Sequence, residues 1–401
     1  MQAQAATGHR RIKVFSMTNK RTTPLSPHTI AAQAGGFLDA ASGGLVPPIQ
    51  PSTTFARGGD YAVHASGNLY GRDDNDAVKL AQGLLAQLDN AQASLLFPSG
   101  MAAIAAVIRT LKPASTIILQ SGIYWGTTKW VRDYTQAHKL VLVECDLSDP
   151  AILAQACKEF APDMVFVETP SNPWLLTVDL NHAAQHVHQC GGLLVVDNTT
   201  ATPILTRPLD YGADIVVQSA TKAINGHSDV LAGVLSTNAP NAEIWTKIAT
   251  DRHDAGAILG AFDAWLLIRG IRTLPVRVDR MSDTAYAIAT FLNDHKQVTE
   301  VYYPGLASHT GHDVARNQTR TGGYGSLMSI RVKGGKTAAL AVVSRLRLFH
   351  PATSLGGVES LVEHRHTIEP DTGIPDDLLR LSIGIEDASD LIDDLNQALN
   401  G

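Results

Sequence analysis

Seven short, continuous apolar runs between residues 93 and 237 constrain the fold of this chain most strongly. They read ASLLF, TIILQ, KLVLVEC, DMVFVET, GLLVVDN, DIVVQS and LAGVLST, and most of them are separated by segments with helical spacing, such as PAILAQACKEF. A strand that is apolar on both faces must be covered on both faces, which is typical of a mostly parallel sheet between helices. The sequence therefore predicts an α/β fold.

The pattern changes after about residue 255. The segment ILGAFDAWLLIRGIRTLPVRVDRMSDTAYAIATFLNDH has the apolar spacing of one long helix, and mixed strand and helix patterns follow it. We therefore expect a second, smaller domain that starts within this segment. The predicted division is an N-terminal arm over residues 1–60, a central domain over residues 61–258 and a C-terminal domain over residues 259–401.

Composition and charge exclude several classes of function. A chain of 401 residues that is 44% hydrophobic and 17% charged is long enough for two packed domains. Its net charge of −6 offers no basic tract for nucleic acid or anionic lipid, and no apolar run reaches the roughly 20 residues of a membrane span. The cysteines lack the spacing of a zinc site, so we expect no metal and a reducing, cytoplasmic location.

Chemically notable residues follow three of the predicted strands. PSGM comes after the first strand, Asp197 lies at the end of the fifth, and Lys222 comes shortly after the sixth. Taken singly, such residues are usually structural, because an Asp at a strand end commonly caps a turn and a lone Lys is commonly solvated. Ligands of open α/β sheets bind beyond the carboxyl ends of the strands, so their coincidence at one edge predicts a binding site.

The lysine indicates which ligand this site binds. A lysine in a partly apolar pocket has a lowered pKa and can form an imine with an aldehyde, as in enzymes that use pyridoxal 5′-phosphate (PLP). That cofactor also needs a phosphate cradle, and the helix predicted to begin at Gly100 and Met101 offers free backbone N–H groups to an anion. Ser219 and Thr221, two residues apart on an extended segment, can aim their hydroxyls at the same place.

PLP needs two further groups from the protein, an anion for its pyridine nitrogen and a surface against its ring. Asp197 would keep the pyridine nitrogen protonated, which preserves the capacity of the ring to accept electrons. Tyr124 in SGIYWGTTKW would stack against the ring. The sequence thus provides a candidate for each need of this cofactor.

Seven motifs in order along the chain resemble the Cys/Met-metabolism (trans-sulfuration) family of PLP enzymes: ETPSNP, VVDNTTATP, QSATKAINGHSD, FDAWLLIRGIRTL, YPGLASH, SLGGVESLVEHR and LLRLSIGIED. The resemblance runs from about residue 28 to the C-terminus. It implies PLP fold type I, with a large PLP-binding domain around a mostly parallel, seven-stranded sheet. It also implies a smaller C-terminal α+β domain that binds the substrate carboxylate.

The resemblance also implies a role for each matching residue. Lys222 would bind the cofactor and transfer protons, assisted by Tyr124, while Asp197 would pair with the ring nitrogen. The phosphate ligands would be Gly100, Met101, Ser219 and Thr221. Arg380 would bind the substrate α-carboxylate through two hydrogen bonds, with Ser354 and Asn172 nearby.

The resemblance further predicts an oligomer. Tyr70 and Arg72 in LYGRDDND match residues of the family that reach the phosphate of the neighbouring subunit. The N-terminal arm would contact that subunit as well. This implies a dimer with shared active sites, usually paired into a tetramer.

The predicted activity is elimination or replacement at Cγ of a homoserine-, homocysteine- or cystathionine-type amino acid, as in cystathionine γ-synthases and γ-lyases. The alternative is a cystathionine β-lyase that releases pyruvate. An aminotransferase and a non-catalytic regulator with the same fold are the alternatives from other classes. The absence of a helix-turn-helix segment and the complete catalytic set disfavour the regulator.

Departures from the family pattern concern the distal end of the substrate. Family members specific for cystathionine commonly have a glutamate before the SLGG serine, where this chain has Thr353, and methionine γ-lyases have a cysteine at the position of Gly126. Leu69 and Trp125 are the other candidates at this end, and none of the four residues is acidic. A non-sulfur leaving group, such as the oxyguanidino group of canavanine, therefore stays open.

The segment EHRHTIEPD is the least assigned part of the resemblance. Its residues His364 and Arg365 can be interpreted in two ways, either as part of a different leaving-group pocket or as structural.

Overall fold

The computed structural model describes residues 25–64 and 66–401. Much of the predicted N-terminal arm falls on residues 1–24, which lie outside the described residues. The described chain begins with helix α1 (Pro27–Ala32), which Ser26 caps, and a short 3-10 turn (Ala34–Gly36). The chain then leads to helix α2, and on the way an isolated β-bridge joins Thr54 to Tyr70.

A seven-stranded sheet forms the centre of the larger domain. Its spatial order is β1-β7-β6-β5-β4-β2-β3. Strand β7 runs antiparallel to both of its neighbours, β1 and β6, and all other neighbouring pairs are parallel. The strands are β1 (Ala93–Phe97), β2 (Thr116–Gln120), β3 (Val141–Cys145), β4 (Met164–Glu168), β5 (Leu193–Asp197), β6 (Ile215–Gln218) and β7 (Gly233–Thr237). The predicted mostly parallel sheet is confirmed, and β1 ends at the same edge as β4, β5 and β6.

Helices cover both faces of this sheet because its strands are apolar on both faces. Phe166 and Val195 pack into one core with helices α3, α4 and α8, whereas their neighbours Val165 and Val196 pack into the other core with α5 and α6. The helices are α2 (Asp76–Asp89), α3 (Gly100–Ile108), α4 (Trp125–His138), α5 (Pro150–Phe160), α6 (Leu180–Gln189), α7 (Thr202–Leu205) and α8 (Glu243–Ala255). The predicted α/β fold is therefore confirmed.

A five-stranded sheet forms the smaller domain, with the order β10-β11-β12-β9-β8. Its strands are β8 (Val298–Tyr302), β9 (Leu327–Val332), β10 (His350–Pro351), β11 (Leu361–His364) and β12 (Leu378–Ser382). Apart from the parallel pair of β10 and β11, the neighbouring strands are antiparallel. The helices of this domain are α11 (His312–Gln318), α12 (Gly335–Arg345), α13 (Arg365–Ile368) and α14 (Ala388–Asn400). This arrangement confirms the predicted α+β domain.

The segment predicted as one long helix forms two helices, α9 (Ala261–Ile271) and α10 (Leu274–Asn293), so that prediction is wrong. The break has a physical reason, because Pro275 lacks a backbone N–H group and fits only the first turn of a helix. Leu274 and Val278 pack with α2 and α9 in the larger domain, whereas Ile288 and Leu292 pack in the smaller one. Packing thus changes within α10, and the predicted boundary between residues 258 and 259 stays a prediction.

The longest described helix, α10, has 20 residues and carries several charges. Across residues 25–64 and 66–401, none of the helices is both long enough and apolar enough to span a membrane.

Candidate active site

The structure brings together the site residues predicted at the strand ends. Asp197 is the last residue of β5, and Lys222 follows β6 by four positions. Gly100 begins α3, two residues after the end of β1, and lies against Ser219 on the segment that carries Lys222. A Cβ atom built on Gly100 would lie 2.9 Å from Cβ of Ser219, so the glycine permits this close approach.

The start of α3 packs closely against two other segments of the backbone. Ser99 caps the helix by accepting a hydrogen bond from the backbone N–H of Ala102 at 3.1 Å, which leaves the N–H groups of Gly100 and Met101 free of this cap. On the other side, Gly233 packs so closely on Ser99 that any side chain there would collide with the carbonyl oxygen of Ser99. Helix N-termini of this kind attract anions, so the start of α3 fits a phosphate.

The two hydroxyl residues predicted beside the start of α3 differ in their contacts. The backbone N–H of Ser219 donates to Oγ1 of Thr199 at 2.8 Å, and its side chain lies against Gly100. Thr221 instead uses its hydroxyl to donate to the carbonyl of Ala232 at 3.1 Å and to accept from the N–H of Ala232 at 2.9 Å. Of the two side chains, that of Ser219 lies against the start of α3. The assignments of Ser219 and Thr221 as phosphate ligands both stay predictions.

Asp197 provides a buried carboxyl group at the end of β5, two residues before Thr199, which contacts Ser219. It is 7% exposed and accepts a hydrogen bond from the backbone N–H of Thr199 at 2.9 Å. Burial raises its pKa, because a charged carboxylate is poorly solvated at this depth. A cationic partner would relieve this cost, which suits a residue that pairs with a protonated pyridine nitrogen.

A second buried carboxyl group, Glu168, was not assigned a role from the sequence. It ends β4 and lies opposite Asp197 in the register of β4 and β5. Its Oε2 accepts the backbone N–H of Tyr124 at 3.0 Å, and its Oε1 accepts the backbone N–H of Asn172 at 2.7 Å. Burial, reinforced by the neighbouring Asp197, raises its pKa. The signal in the sequence was the Glu of ETPSNP, a charged residue that directly follows the apolar run DMVFV.

Tyr124 precedes helix α4 and lies beside a glycine that makes room for its ring. A Cβ atom on Gly126 would lie 2.6 Å from Cε1 and 3.0 Å from Oη of Tyr124. The neighbouring Trp125 meets the Tyr124 ring edge-on, with 6.1 Å between ring centroids. The phenol ring is therefore confined by its own helix, as a stacking residue requires.

Lys222 lies in a mostly buried pocket, as predicted. Its Nζ donates to Oγ of Ser354 at 2.9 Å. Burial lowers its pKa to about 8, and the positive charges of Arg380 and Arg365 contribute to the shift while Glu363 opposes it. An appreciable fraction of the amine is therefore uncharged near neutral pH, which is the form that attacks an aldehyde or accepts a proton.

The three predicted substrate-binding residues meet around Arg380, which is 3% exposed. Its Nη1 donates to Oδ1 of Asn172 at 3.2 Å, and its Nη2 donates to the carbonyl of Ser354 at 2.7 Å. Nη2 also lies 2.7 Å from Oε2 of Glu363, a residue that the sequence analysis did not single out. The buried Nε has no partner in the described chain, and burial lowers the pKa of this guanidinium to about 10.

Tyr70 and Arg72 lie apart from this cluster. Tyr70 is 49% exposed, and the guanidinium of Arg72 lies 5.6 Å from the centroid of its ring. Neither side chain has a hydrogen bond to the strand-end residues within the described part of the chain. Their predicted contact with a neighbouring subunit stays a prediction.

The residues present fit PLP on several counts. The glycine-lined start of α3 fits a phosphate, the buried Asp197 fits a pyridinium, and the pKa of Lys222 fits an amine that reacts with an aldehyde. Residues 25–64 and 66–401 contain no group of three or more His, Cys, Asp or Glu side chains placed to hold a metal ion.

Comparison with known proteins agrees with this geometry. The model of the family described as Cys/Met metabolism PLP-dependent enzyme matches residues 28–400. The chain is 39% identical to cystathionine gamma-synthase of Mycobacterium tuberculosis over 93% of its own length and 96% of the relative. It is 40% identical to cystathionine gamma-lyase of Saccharomyces cerevisiae over 92% of its own length and 96% of that relative.

Among solved structures, cystathionine gamma synthase from Xanthomonas oryzae pv. oryzae superposes with a TM-score of 0.89 at 38% identity, covering 94% of this chain and 98% of the other. These matches confirm the predicted fold type I, the PLP cofactor and a trans-sulfuration type of enzyme, and they support chemistry at Cγ. This chain belongs to the Cys/Met metabolism family of PLP-dependent enzymes.

Proposed function

We propose that this enzyme catalyses elimination or replacement at Cγ of a homoserine-, homocysteine- or cystathionine-type amino acid. The similarity to a cystathionine gamma-synthase and a cystathionine gamma-lyase supports chemistry at Cγ. One structural observation carries the Cα-proton removal that this reaction needs first, namely that Ser354 links Lys222 to Arg380. Its hydroxyl accepts from Nζ of Lys222 at 2.9 Å, and its carbonyl accepts from Arg380 at 2.7 Å. The base and the carboxylate-binding group are thus held at a fixed spacing, as the removal of a proton from the carbon next to a carboxylate requires.

The chain contributes acid–base chemistry around the cofactor. When bound, PLP accepts the electrons that are released as the Cα–H bond breaks. Lys222 accepts the Cα proton through its uncharged amine, and Asp197 holds the negative charge that keeps the ring nitrogen protonated. Departure of a group from Cγ also requires removal of a Cβ proton, for which Lys222 and Tyr124 are the two available groups.

Arg380 has donors left for the substrate. A guanidinium carries five N–H donors, and Asn172, Ser354 and Glu363 engage three of them. The Nε–H and one Nη1 hydrogen remain, and the Nε–H is buried without a partner in the described chain. A buried unpaired donor is costly, so a bound α-carboxylate would satisfy it.

An acidic residue lies next to Thr353, one of the four positions predicted to face the distal end of the substrate. Glu363 lies beside Thr353, whose side chain contributes to lowering the Glu363 pKa. Burial raises the pKa of Glu363, but the charges of Arg380 and Arg365 outweigh it, so the pKa is lowered overall. The negative charge of Glu363 is already paired with Arg365 and Arg380. We therefore expect Glu363 to add little preference for substrates that carry a distal ammonium over substrates that do not.

We also propose a dimer with shared sites, with two such dimers forming a tetramer. The segment between residues 38 and 70 exposes eight large apolar side chains by 37% to 78%: Leu38, Leu45, Val46, Ile49, Tyr61, Val63, Leu69 and Tyr70. Contiguous exposed apolar surface commonly marks a protein interface. The same segment leads to Arg72, so burying it against a second copy would place Tyr70 and Arg72 at the subunit boundary.

We assign the enzyme to the cytoplasm. Its three cysteines, Cys145, Cys157 and Cys190, all lie within the described residues and form no disulfide. Unpaired thiols of this kind suit a reducing compartment.

A substrate screen tests the proposed reaction. Cystathionine, methionine, homocysteine, O-acyl-homoserines, cysteine conjugates and canavanine would be supplied, and 2-oxobutyrate, pyruvate and homoserine would be measured separately. We expect 2-oxobutyrate, homoserine or a γ-replacement product, and no product with Lys222→Ala as the control. Pyruvate as the main product would establish β-elimination instead. Accumulation of the pyridoxamine form of the cofactor with an oxo acid would indicate an aminotransferase.

The same screen tests the expectation about the distal end. Comparable rates for substrates with different distal groups would agree with a site in which no acidic side chain is free to pair with the substrate. A clear preference for cystathionine over every other substrate would contradict the inference drawn from Thr353.

A further inference from the structure

Four buried charges surround the substrate-binding end of the site, in the segment that sequence analysis left unassigned. Glu363 lies on β11, Arg365 begins α13, Glu369 directly follows α13, and Arg380 lies on β12. Their exposed fractions lie between 1% and 5%. We refer to these four residues as the charge network.

The charge network is a continuous chain of ion pairs. Arg365 pairs with Glu369 and donates from Nη1 to Oε2 of Glu363 at 2.5 Å. The same Oε2 lies 2.7 Å from Nη2 of Arg380, and Glu363 faces Arg380 in the antiparallel register of β11 and β12. Two positive charges thus face two negative charges, and each member is held by the next.

The contacts of Arg380, the last member of the charge network, argue against a purely structural role of the network. Buried Nε–H groups without a partner in the described chain occur on both Arg365 and Arg380, so an unpaired donor alone does not separate a structural role from a functional one. The contacts of Arg380 do, because its Nη1 reaches Asn172 of the larger domain and its Nη2 reaches the carbonyl of Ser354, whose hydroxyl binds Lys222. A network that only joined α13 to the sheet would not need to end on these two residues.

We propose that Glu363 and Arg365 are positioning residues, which hold the Arg380 guanidinium in the orientation that binds the substrate α-carboxylate. Glu363 fixes the plane of Arg380 through Nη2, and Arg365 fixes Glu363 through Nη1. Glu369 balances the second charge of Arg365. The proposal rests on the proposed function only in that Arg380 binds the carboxylate.

A pair of unreactive ligands tests the proposal without relying on turnover. L-Norvaline has an α-carboxylate but no leaving group at Cγ, and butan-1-amine is its counterpart without the carboxylate. Their affinities for the holoenzyme would be measured from changes in the visible absorption of bound PLP. The ratio of the two affinities reports how well the α-carboxylate is bound.

We expect Glu363→Gln and Arg365→Lys to reduce this ratio by about tenfold or more, since a hydrogen bond to a charged group would be misaligned. The affinity for butan-1-amine should change little. Arg365→Lys keeps the buried charge but lacks the planar guanidinium that reaches both glutamates. It is therefore preferred to Arg365→Met, which removes the charge and is more prone to misfold. The matched control is Arg331→Met, which breaks the Arg331–Asp377 ion pair of the same sheet and should leave the ratio unchanged.

A second readout separates positioning from loss of fold. The charges that act on Lys222 come from Arg380, Glu363 and Arg365. In cofactor-free full-length protein, Glu363→Gln should therefore lower the pH midpoint for capture of PLP. Arg365→Met should raise it, and Arg365→Lys should leave it in place. General destabilisation would not move the midpoint in opposite directions.

The outcomes distinguish this proposal from the proposed function. If Arg380→Ala leaves the norvaline to butan-1-amine ratio unchanged, the carboxylate role of Arg380 is wrong, and both proposals fail. If Arg380→Ala lowers the ratio but Glu363→Gln and Arg365→Lys do not, the proposed function stands and the positioning role is overturned.

Discussion

The cofactor end and the substrate end of the active site are built in different ways. At the cofactor end, Gly100 and Asp197 lie at or next to strand ends, and the sheet topology alone brings them together. At the substrate end, Arg380 contacts Asn172 across 208 positions in the chain, and Lys222 contacts Ser354 across 132. The first end depends on backbone geometry and the second on side-chain ion pairs and hydrogen bonds between domains. The first should therefore tolerate changes of charge elsewhere better than the second.

The largest effect is expected where the two ends meet, at Lys222. Lys222→Ala removes the amine that we assign to both cofactor binding and proton transfer, so turnover should fall by at least about 10³-fold. The visible absorption of lysine-bound PLP should disappear as well. Steady-state kinetics and absorption spectra check both results. Lys247→Ala on α8, which breaks only a surface ion pair with Glu243, serves as the control. Normal turnover by Lys222→Ala would refute the assignment.

The substrate end alone is tested by Arg380→Ala. For every α-amino acid substrate, kcat/KM should fall by an amount equivalent to about 2–5 kcal/mol, as expected when one partner of a buried charge pair is removed. The absorption of bound PLP should remain, because Arg380 is no part of the cofactor end. Kinetics on two substrates with different tails provide the check. Loss of only one substrate would contradict a role in binding the shared carboxylate.

The pH dependence of cofactor capture tests the electrostatics that join the two ends. The pKa of Lys222 is lowered to about 8 by burial first and by Arg380 second. Only the uncharged amine attacks the aldehyde, so the capture rate of cofactor-free protein should rise with pH and level off above about 8. At neutral pH an ordinary lysine would offer roughly 200-fold to 300-fold less free amine. A midpoint near the usual value for lysine would contradict the burial of Lys222.

The cofactor end alone is tested by Gly100→Ala. The added Cβ would lie 2.9 Å from Cβ of Ser219, so the start of α3 should be displaced. Overpacking of this kind costs about 1–3 kcal/mol, which we expect to appear as weaker binding of PLP. Equilibrium titration with PLP measures it. Gly83→Ala on α2 is the matched control, since a Cβ there meets no atom within 4 Å. Equal PLP affinity of both variants would contradict the cradle.

The smallest effect concerns sharing of the site between subunits. Mixed dimers of Tyr70→Phe/Arg72→Ala subunits and Lys222→Ala subunits should contain one intact site, because both defects fall in the other site. Activity per verified mixed dimer should therefore recover to roughly half of the wild-type value. Each variant alone should remain inactive. No recovery in verified mixed dimers would argue against shared sites.

The same contrast explains how far the sequence could predict the structure. The strands were predicted closely, because continuous apolar runs such as IVVQ of β6 report burial on both faces directly. Lys222 and Asp197 were predicted to meet because topology places the carboxyl ends of parallel strands at one edge. These inferences need only local patterns and one rule for sheets.

Glu168, Glu363 and the role of Arg365 were not predicted, because their significance depends on register and on distant partners. Glu168 matters since it lies opposite Asp197 and accepts from two loops. Glu363 matters since it lies opposite Arg380, which a list of motifs along the chain does not indicate. The break at Pro275 was overlooked for a different reason, as helical spacing continued across it.

Glu168 has a thermodynamic consequence for the working enzyme. Its two oxygens accept the backbone N–H groups of Tyr124, the proposed stacking residue, and of Asn172, which contacts Arg380. Any coupling free energy transmitted through this carboxyl group is reciprocal. If a substrate raises the affinity of the enzyme for PLP, then PLP raises the affinity for that substrate by the same factor. Retention of the cofactor during dilution should then depend on the amino-acid concentration.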